Sequence, residues 1–171
     1  MGDLTKSRSR QCPETLGGES KVFLFNRVDD PFTVSATTNE ATALNAAVTA
    51  VYSYDLSGDG NTLEESMVGD IVTGTRVNSQ TAVLTLKKMT VADSAEFNLL
   101  ASSCAHAVVL TRNGDYIALG ITEGCNWTIV SSTGAAKADF NGYTVTGVAQ
   151  ENKLAPYLDS ATVTALLAVV V

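Results

Sequence analysis

The chain has little of what most enzymes and most secreted domains depend on. Its 171 residues include one His, three Cys and one Trp, and only 11 Lys and Arg stand against 18 Asp and Glu. Ser-His-Asp and Cys-His chemistry need a histidine as the base, and no nearby pattern recruits His106 to that task. The three cysteines, Cys12, Cys104 and Cys125, are odd in number and form no C-x-x-C, which argues against a disulfide framework or a zinc ribbon and predicts free, mostly buried thiols. No G-x-x-x-x-G-K occurs, and the glycines between Gly114 and Gly124 are spaced for turns rather than for a phosphate or dinucleotide loop. The longest apolar run, Ala165 to Val171, falls far short of the roughly 20 residues of a membrane helix, so no membrane anchor is expected. Met1 to Glu14 is polar where a signal peptide has its apolar stretch, so synthesis and residence in a cytoplasm are expected, and the sequon Asn126-Trp127-Thr128 then carries little meaning. No cofactor is expected, and no reaction is specified.

What is present suits one soluble β-rich domain. A hydrophobic content of 45% over this length can build one core. The basic residues crowd the start, at Lys6, Arg8, Arg10, Lys21 and Arg27, and from Val28 onward 6 basic residues face 15 acidic ones, a difference of −9. Such a body repels phosphates, because duplex binding rests on a clustered basic face that displaces counterions. Met1 to Gly18 is polar and without periodicity, and reads as a flexible arm ahead of a single domain over residues 19–171.

Along the domain, Val22 to Asn26 reads as a short strand, while Thr33 to Ala50 fits neither period and is left unassigned. Val51 to Leu56 alternates with period two. The turn-rich run Ser57-Gly58-Asp59-Gly60-Asn61 then joins it to Thr62 to Val68, which predicts a hairpin. Thr73 to Gln80 reads as a further loop leading into a strand at Ala82 to Met89. Thr90 with Asp93 marks a helix start, and Phe97, Leu100, Ala101 and Cys104 follow at helical spacing, giving one helix at about 91–104. Asn113-Gly114 joins strands Ala107 to Thr111 and Tyr116 to Ile121, a strong hairpin signal. Cys125 to Ser131 and Asp139 to Ala149 continue the pattern, with Asn141-Gly142 as a tight turn or bulge. The total is about eight strands and one flanking helix, a β-sandwich or partly rolled barrel. The apolar end, Ala168 to Val171, would template aggregation as a bare edge and must be paired within or between subunits.

Three patterns touch on chemistry, and none completes a site. Asp55 to Asn61 matches the first half of an EF-hand loop, but its twelfth position is Ser66 rather than a bidentate Glu, and its flanks are strand-like. Cys104, His106 and Cys125 could offer three metal ligands, yet their spacing fits no zinc pattern and a fourth ligand is lacking, so a buried thiol and a hydrogen-bonded histidine are expected. Glu64 and Glu65, adjacent on a strand, point to opposite faces and cannot share a proton.

Several pieces together resemble the major tail and tail-tube proteins of tailed phages. They are Tyr52 to Leu56, the loop to Asn61, Thr62-Leu63-Glu64-Glu65 and Gly74-Thr75. The second half adds Val108 to Arg112, Asn113-Gly114-Asp115-Tyr116, Leu119-Gly120, Gly124, Ser132-Thr133-Gly134 and Asp139-Phe140-Asn141-Gly142-Tyr143. The likeness spans Lys21 to Ala149 and lies in element order and turn placement. It implies a structural virion protein, made in the host cytoplasm, whose hexameric rings stack into a hollow tube with one sheet lining the lumen. Partners would be other copies, further tail proteins and DNA only as passing cargo, from which an acidic body would not draw sticking contacts. The resemblance also implies contacts between rings through the arm, at Lys6, Arg8 and Arg10, and through one of two loops. These are Ser57, Gly58, Asp59, Gly60 and Asn61, or Thr73, Gly74, Thr75, Arg76, Asn78 and Gln80. Terminator, baseplate and tail-ring proteins share the fold, and a small β-rich binding or adhesion module is the alternative from another class.

Overall fold

The computed structural model describes residues 6–56 and 58–171. Eleven strands and two helices follow in chain order. They are β1 (Glu19–Phe25), β2 (Phe32–Val34), β3 (Glu40–Leu44), β4 (Tyr52–Asp55), β5 (Thr62–Asp70), β6 (Thr75–Lys87), α1 (Val91–Ser102), β7 (His106–Thr111), β8 (Tyr116–Leu119), β9 (Asn126–Ser132), β10 (Gly142–Glu151), β11 (Tyr157–Leu158) and α2 (Ser160–Ala168). The strands form a seven-stranded sheet in the order β2-β3-β11-β8-β7-β1-β4 and a four-stranded sheet in the order β5-β6-β10-β9. The mainly β, sandwich-like class expected from the sequence is what the chain adopts.

Two cores explain the layers. Val22 and Leu24 of β1, Ala107 and Val109 of β7, Ala82 and Leu84 of β6 and Val145 of β10 meet between the sheets. The alternate residues Phe23, Phe25 and Val108 face the opposite side of the large sheet, where Phe32, Ala41, Val51 and Leu166 cover them. Central strands β1 and β7 are therefore apolar on both faces, which is why they read as continuous hydrophobic runs. In a flat sheet β2 would lie about 24 Å from β1, five strand spacings away. The rings of Phe25 and Phe32 are only 6.0 Å apart. The large sheet thus curls round the second core without closing into a barrel.

Helix α1 begins where the sequence placed it, with the Thr90 hydroxyl accepting from the Asp93 N–H at 3.1 Å. It buries Phe97 and Leu100 and packs on β9, while the Phe97 ring meets Tyr54 of β4 and Tyr143 of β10. The helix thereby closes the open side of the sandwich between edge strands β4 and β9.

Three local expectations are corrected, and one unassigned stretch is filled. Residues 51–68 form no hairpin: β4 pairs with β1 in the large sheet and β5 with β6 in the small one, so the run from Leu56 to Asn61 crosses from one sheet to the other. Period-two alternation marks a strand but not its partner. Thr75 to Gln80 is strand, not loop: its backbone pairs with Glu65 to Asp70 of β5, and Asn78 and Gln80 turn their polar side chains inside. Thr33 to Ala50 contains the short strands β2 and β3. Ser160–Ala168 is a second helix, capped by Asp159 and anchored by buried Leu166, and Val170 bridges Val51 within the same chain. Among the described residues no helix is long and apolar enough to cross a membrane.

Candidate assembly surface

The most exposed structured element is a β-ribbon. Beyond Glu65, the paired strands β5 and β6 run on past the body of the sandwich, with Ser66 to Val77 exposed throughout. Its turn is built by Asp70, whose carboxylate accepts the N–H groups of Val72 at 2.8 Å and Thr73 at 3.5 Å, and these bonds hold the Asp70 carboxyl below the usual carboxylate range. Gly74 supplies a positive φ of 68°, and the hydroxyls of Thr73 and Thr75 lie 2.8 Å apart across the turn. The turn presents two apolar side chains to solvent, Ile71 at 99% and Val72 at 94% exposure, with Val68 and Met67 exposed behind them. A two-stranded ribbon is marginal alone. It gains when a partner covers it.

The base of the ribbon is anchored by polar side chains. Arg76 Nε donates to the Asn152 carbonyl at 3.0 Å. Asn78, wholly buried, donates through Nδ2 to Glu65 Oε2 at 2.6 Å and to the Lys153 carbonyl at 3.0 Å, and Glu65 also accepts the Ala155 N–H at 2.9 Å. Gln80, also buried, accepts the Gly120 N–H at 3.0 Å. Asn78 and Gln80 therefore leave the set of expected contact residues: they serve the interior. Thr73, Gly74 and Thr75 remain on the exposed tip, and Arg76 is exposed just behind it with its guanidinium turned back to Asn152. Sequence reasoning passed over Ile71 and Val72, although two large apolar residues between Asp70 and Gly74 were a visible sign of an uncovered turn.

The other expected loop is a structural crossing. Ser57 lies outside the described residues. Gly58, Asp59 and Gly60 are exposed, but the Gly58 carbonyl accepts from Arg112 Nη2 at 2.7 Å and the Asp59 carboxylate lies 3.6 Å from the same guanidinium. Asn61 is buried, donating to the Gly58 carbonyl and accepting the Thr85 N–H at 2.7 Å. Asp55 pairs with Lys21 at 2.9 Å. The carboxylates of the EF-hand-like run thus face cations of the chain itself. Lys6, Arg8 and Arg10 are exposed, and the arm is fastened at its end by Asn113, whose amide exchanges two hydrogen bonds of 2.9 Å with the backbone of Leu16.

Cys104, His106 and Cys125 do not gather. His106 is buried, with Nδ1 2.6 Å from the Gly120 carbonyl and Nε2 3.1 Å from the Val28 N–H, so a neutral ring that donates from Nδ1 satisfies both. Burial lowers its pKa and pushes the Cys125 thiol up to about 12. Cys12 and Cys104 are exposed, against the expectation of mostly buried thiols, because Cys104 falls just past the last helical turn. Among the described residues, no three His, Cys, Asp or Glu side chains converge in a metal-binding arrangement.

The fold defines a β-sandwich-like protein with one protruding ribbon and a helix sealing the opposite side. No family model, curated protein or solved structure matches the chain.

Proposed function

We propose that this chain is a structural subunit that associates with copies of itself into closed rings, and that these stack as a hollow tube of the phage tail-tube type. The observation that carries the reading is the exposed β5–β6 ribbon, an extended element whose apolar tip is left to solvent in the single subunit. Three features support it. Edge strands β5 and β9 border the small sheet and offer unpaired backbone to neighbours. The acidic body suits a channel through which DNA passes as cargo without binding. A basic arm ahead of an acidic domain suits contact between successive rings, and other tail proteins would meet the tube at its ends. In this reading the subunit is made in a host cytoplasm and ends in the virion tail.

Negative-stain microscopy of the purified protein tests the proposal, with rings or tubes of uniform diameter as the expected outcome. A monodisperse monomer at high concentration across a range of salt would overturn it and favour a β-rich binding module.

A further inference from the structure

Where α1 approaches β4, a cleft of about 240 Å³ opens between Tyr52 and Tyr54 of β4 and Glu96, Leu99 and Leu100 of α1, floored by Ala105. Its rim is uncovered and mixes apolar with polar groups: Leu99 is 64% and Tyr52 46% exposed, Asn26 and Ser103 add polar side chains, and Glu96 adds one negative charge. The ribbon presents the complement: Ile71 and Val72 at the turn, and the Arg76 guanidinium one residue pair below it, held beside the ribbon by its bond to Asn152. The ribbon continues β5 and β6 of the small sheet, whereas the cleft is lined by β1, β4 and α1. Ile71 and Val72 are almost wholly exposed, so one copy does not fill its own cleft.

We infer that the Ile71–Val72 turn of one copy seats in the cleft between β4 and α1 of a second copy, with Arg76 facing Glu96 at the rim. This rests on the self-association reading and specifies its contact. Such a head-to-tail joint uses two different patches, so each added copy leaves one tip and one cleft for the next, and the series ends only by closing into a ring. Burying one or two aliphatic side chains makes each joint sensitive to a single charge placed at either patch.

The test uses full-length chains carrying Val72→Asp or Leu99→Asp, with Leu99→Ser as a milder second cleft variant. Melting temperatures are compared first, and both sites are solvent-facing, so values near wild type are expected. Each variant alone should lose assembly, with association weakened about tenfold or more. Mixed in equal amounts, they should form a discrete dimer of one Val72→Asp and one Leu99→Asp chain, because the pair holds one intact tip and one intact cleft. Multi-angle light scattering reads that mass. Assembly lost in Val72→Asp but kept in both Leu99 variants would overturn the cleft as receptor, and so would two inactive variants that stay monomeric when mixed. Full assembly by every variant would overturn the joint while leaving self-association standing. A wild-type chain that never assembles would remove both.

Discussion

Glu19 is the residue most out of place, and its position has a local cause. Pairing of β1 with β7 slips between Glu19 and Lys21, so Ser20 is an extra residue that turns Glu19 toward the space between the sheets. There it is only 2% exposed, beside Leu63 and Ile117 under the arm segment from Leu16 to Gly18, and neither carboxylate oxygen has a hydrogen-bond partner. The nearby cations are engaged elsewhere, Lys21 with Asp55 and Arg112 with Asp59. Desolvation raises the Glu19 pKa from its ordinary 4.5 to about 7. A raised native pKa means that the folded chain holds the proton more tightly than the unfolded one. Stability from this group is full below pH 4.5 and is lost as pH rises to about 7, to a total on the order of 3 kcal/mol. His106 acts with the opposite sign: its lowered native pKa costs stability as pH falls below 6.5. Glu19→Gln isolates the first effect. The stability gained by the variant over wild type, measured by denaturant unfolding, should grow from about pH 4.5 to 7 and then level off. A difference that stays constant across that window would show that Glu19 does not titrate there.

At the scale of elements, the small sheet and α1 are locked by one aromatic side chain. Trp127 of β9 donates Nε1–H to the Ala105 carbonyl at 3.0 Å, tying the sheet to the chain leaving α1, and lies in register with Gly147 of β10. A Cβ at position 147 would stand 2.6 Å from the Trp127 ring, so glycine is required there by close approach rather than by backbone freedom. Gly147→Ala should push the indole off the helix junction and cost about 1–3 kcal/mol, read as a lower melting temperature with a red-shifted native tryptophan emission and a smaller shift on unfolding. An unchanged melting temperature would mean that the ring relocates freely. α2 obeys a simpler rule: its Asp159 cap and one buried leucine dock it on β3.

For the whole molecule, the distribution of charge sets the next test. The first ten residues hold Lys6, Arg8 and Arg10, while the chain as a whole carries −7. Among the described residues, hydrogen bonds between the arm and the domain begin at Leu16 and Gly18, through Asn113 and Arg112. Removing Met1 to Arg10 should therefore leave the subunit's melting temperature nearly unchanged. In the proposed stack it should reduce assembly and flatten its salt dependence, since exposed pairs between this arm and a neighbour's carboxylates contribute about 0.2–1 kcal/mol each and are screened by salt. Turbidity or sedimentation across a salt series checks both halves. Equal yield and equal salt dependence would leave the arm as a solvated tail.

Much of the architecture was legible without coordinates. Alternation at Val51 to Leu56 and Ala82 to Met89, the Asn113-Gly114 turn and the Thr90 cap are local signals, and short-range sterics and hydrogen bonding enforce them wherever the segment sits. What the sequence could not convey was partnership. That β4 joins β1 while β5 joins β6 depends on which apolar faces find one another across the core, and the same alternation serves either pairing. Asn78 and Gln80 looked like loop residues because polarity usually marks solvent, yet Glu65, Lys153 and Gly120 supply the hydrogen bonds that allow them inside. The same reasoning explains the candidate site. The resemblance to tail-tube proteins pointed to the Thr73–Gln80 region, whereas the protrusion of its ribbon and the cleft between β4 and α1 arise only when the two sheets are stacked. The narrow sheet's longest strands then overrun the core that would have covered them.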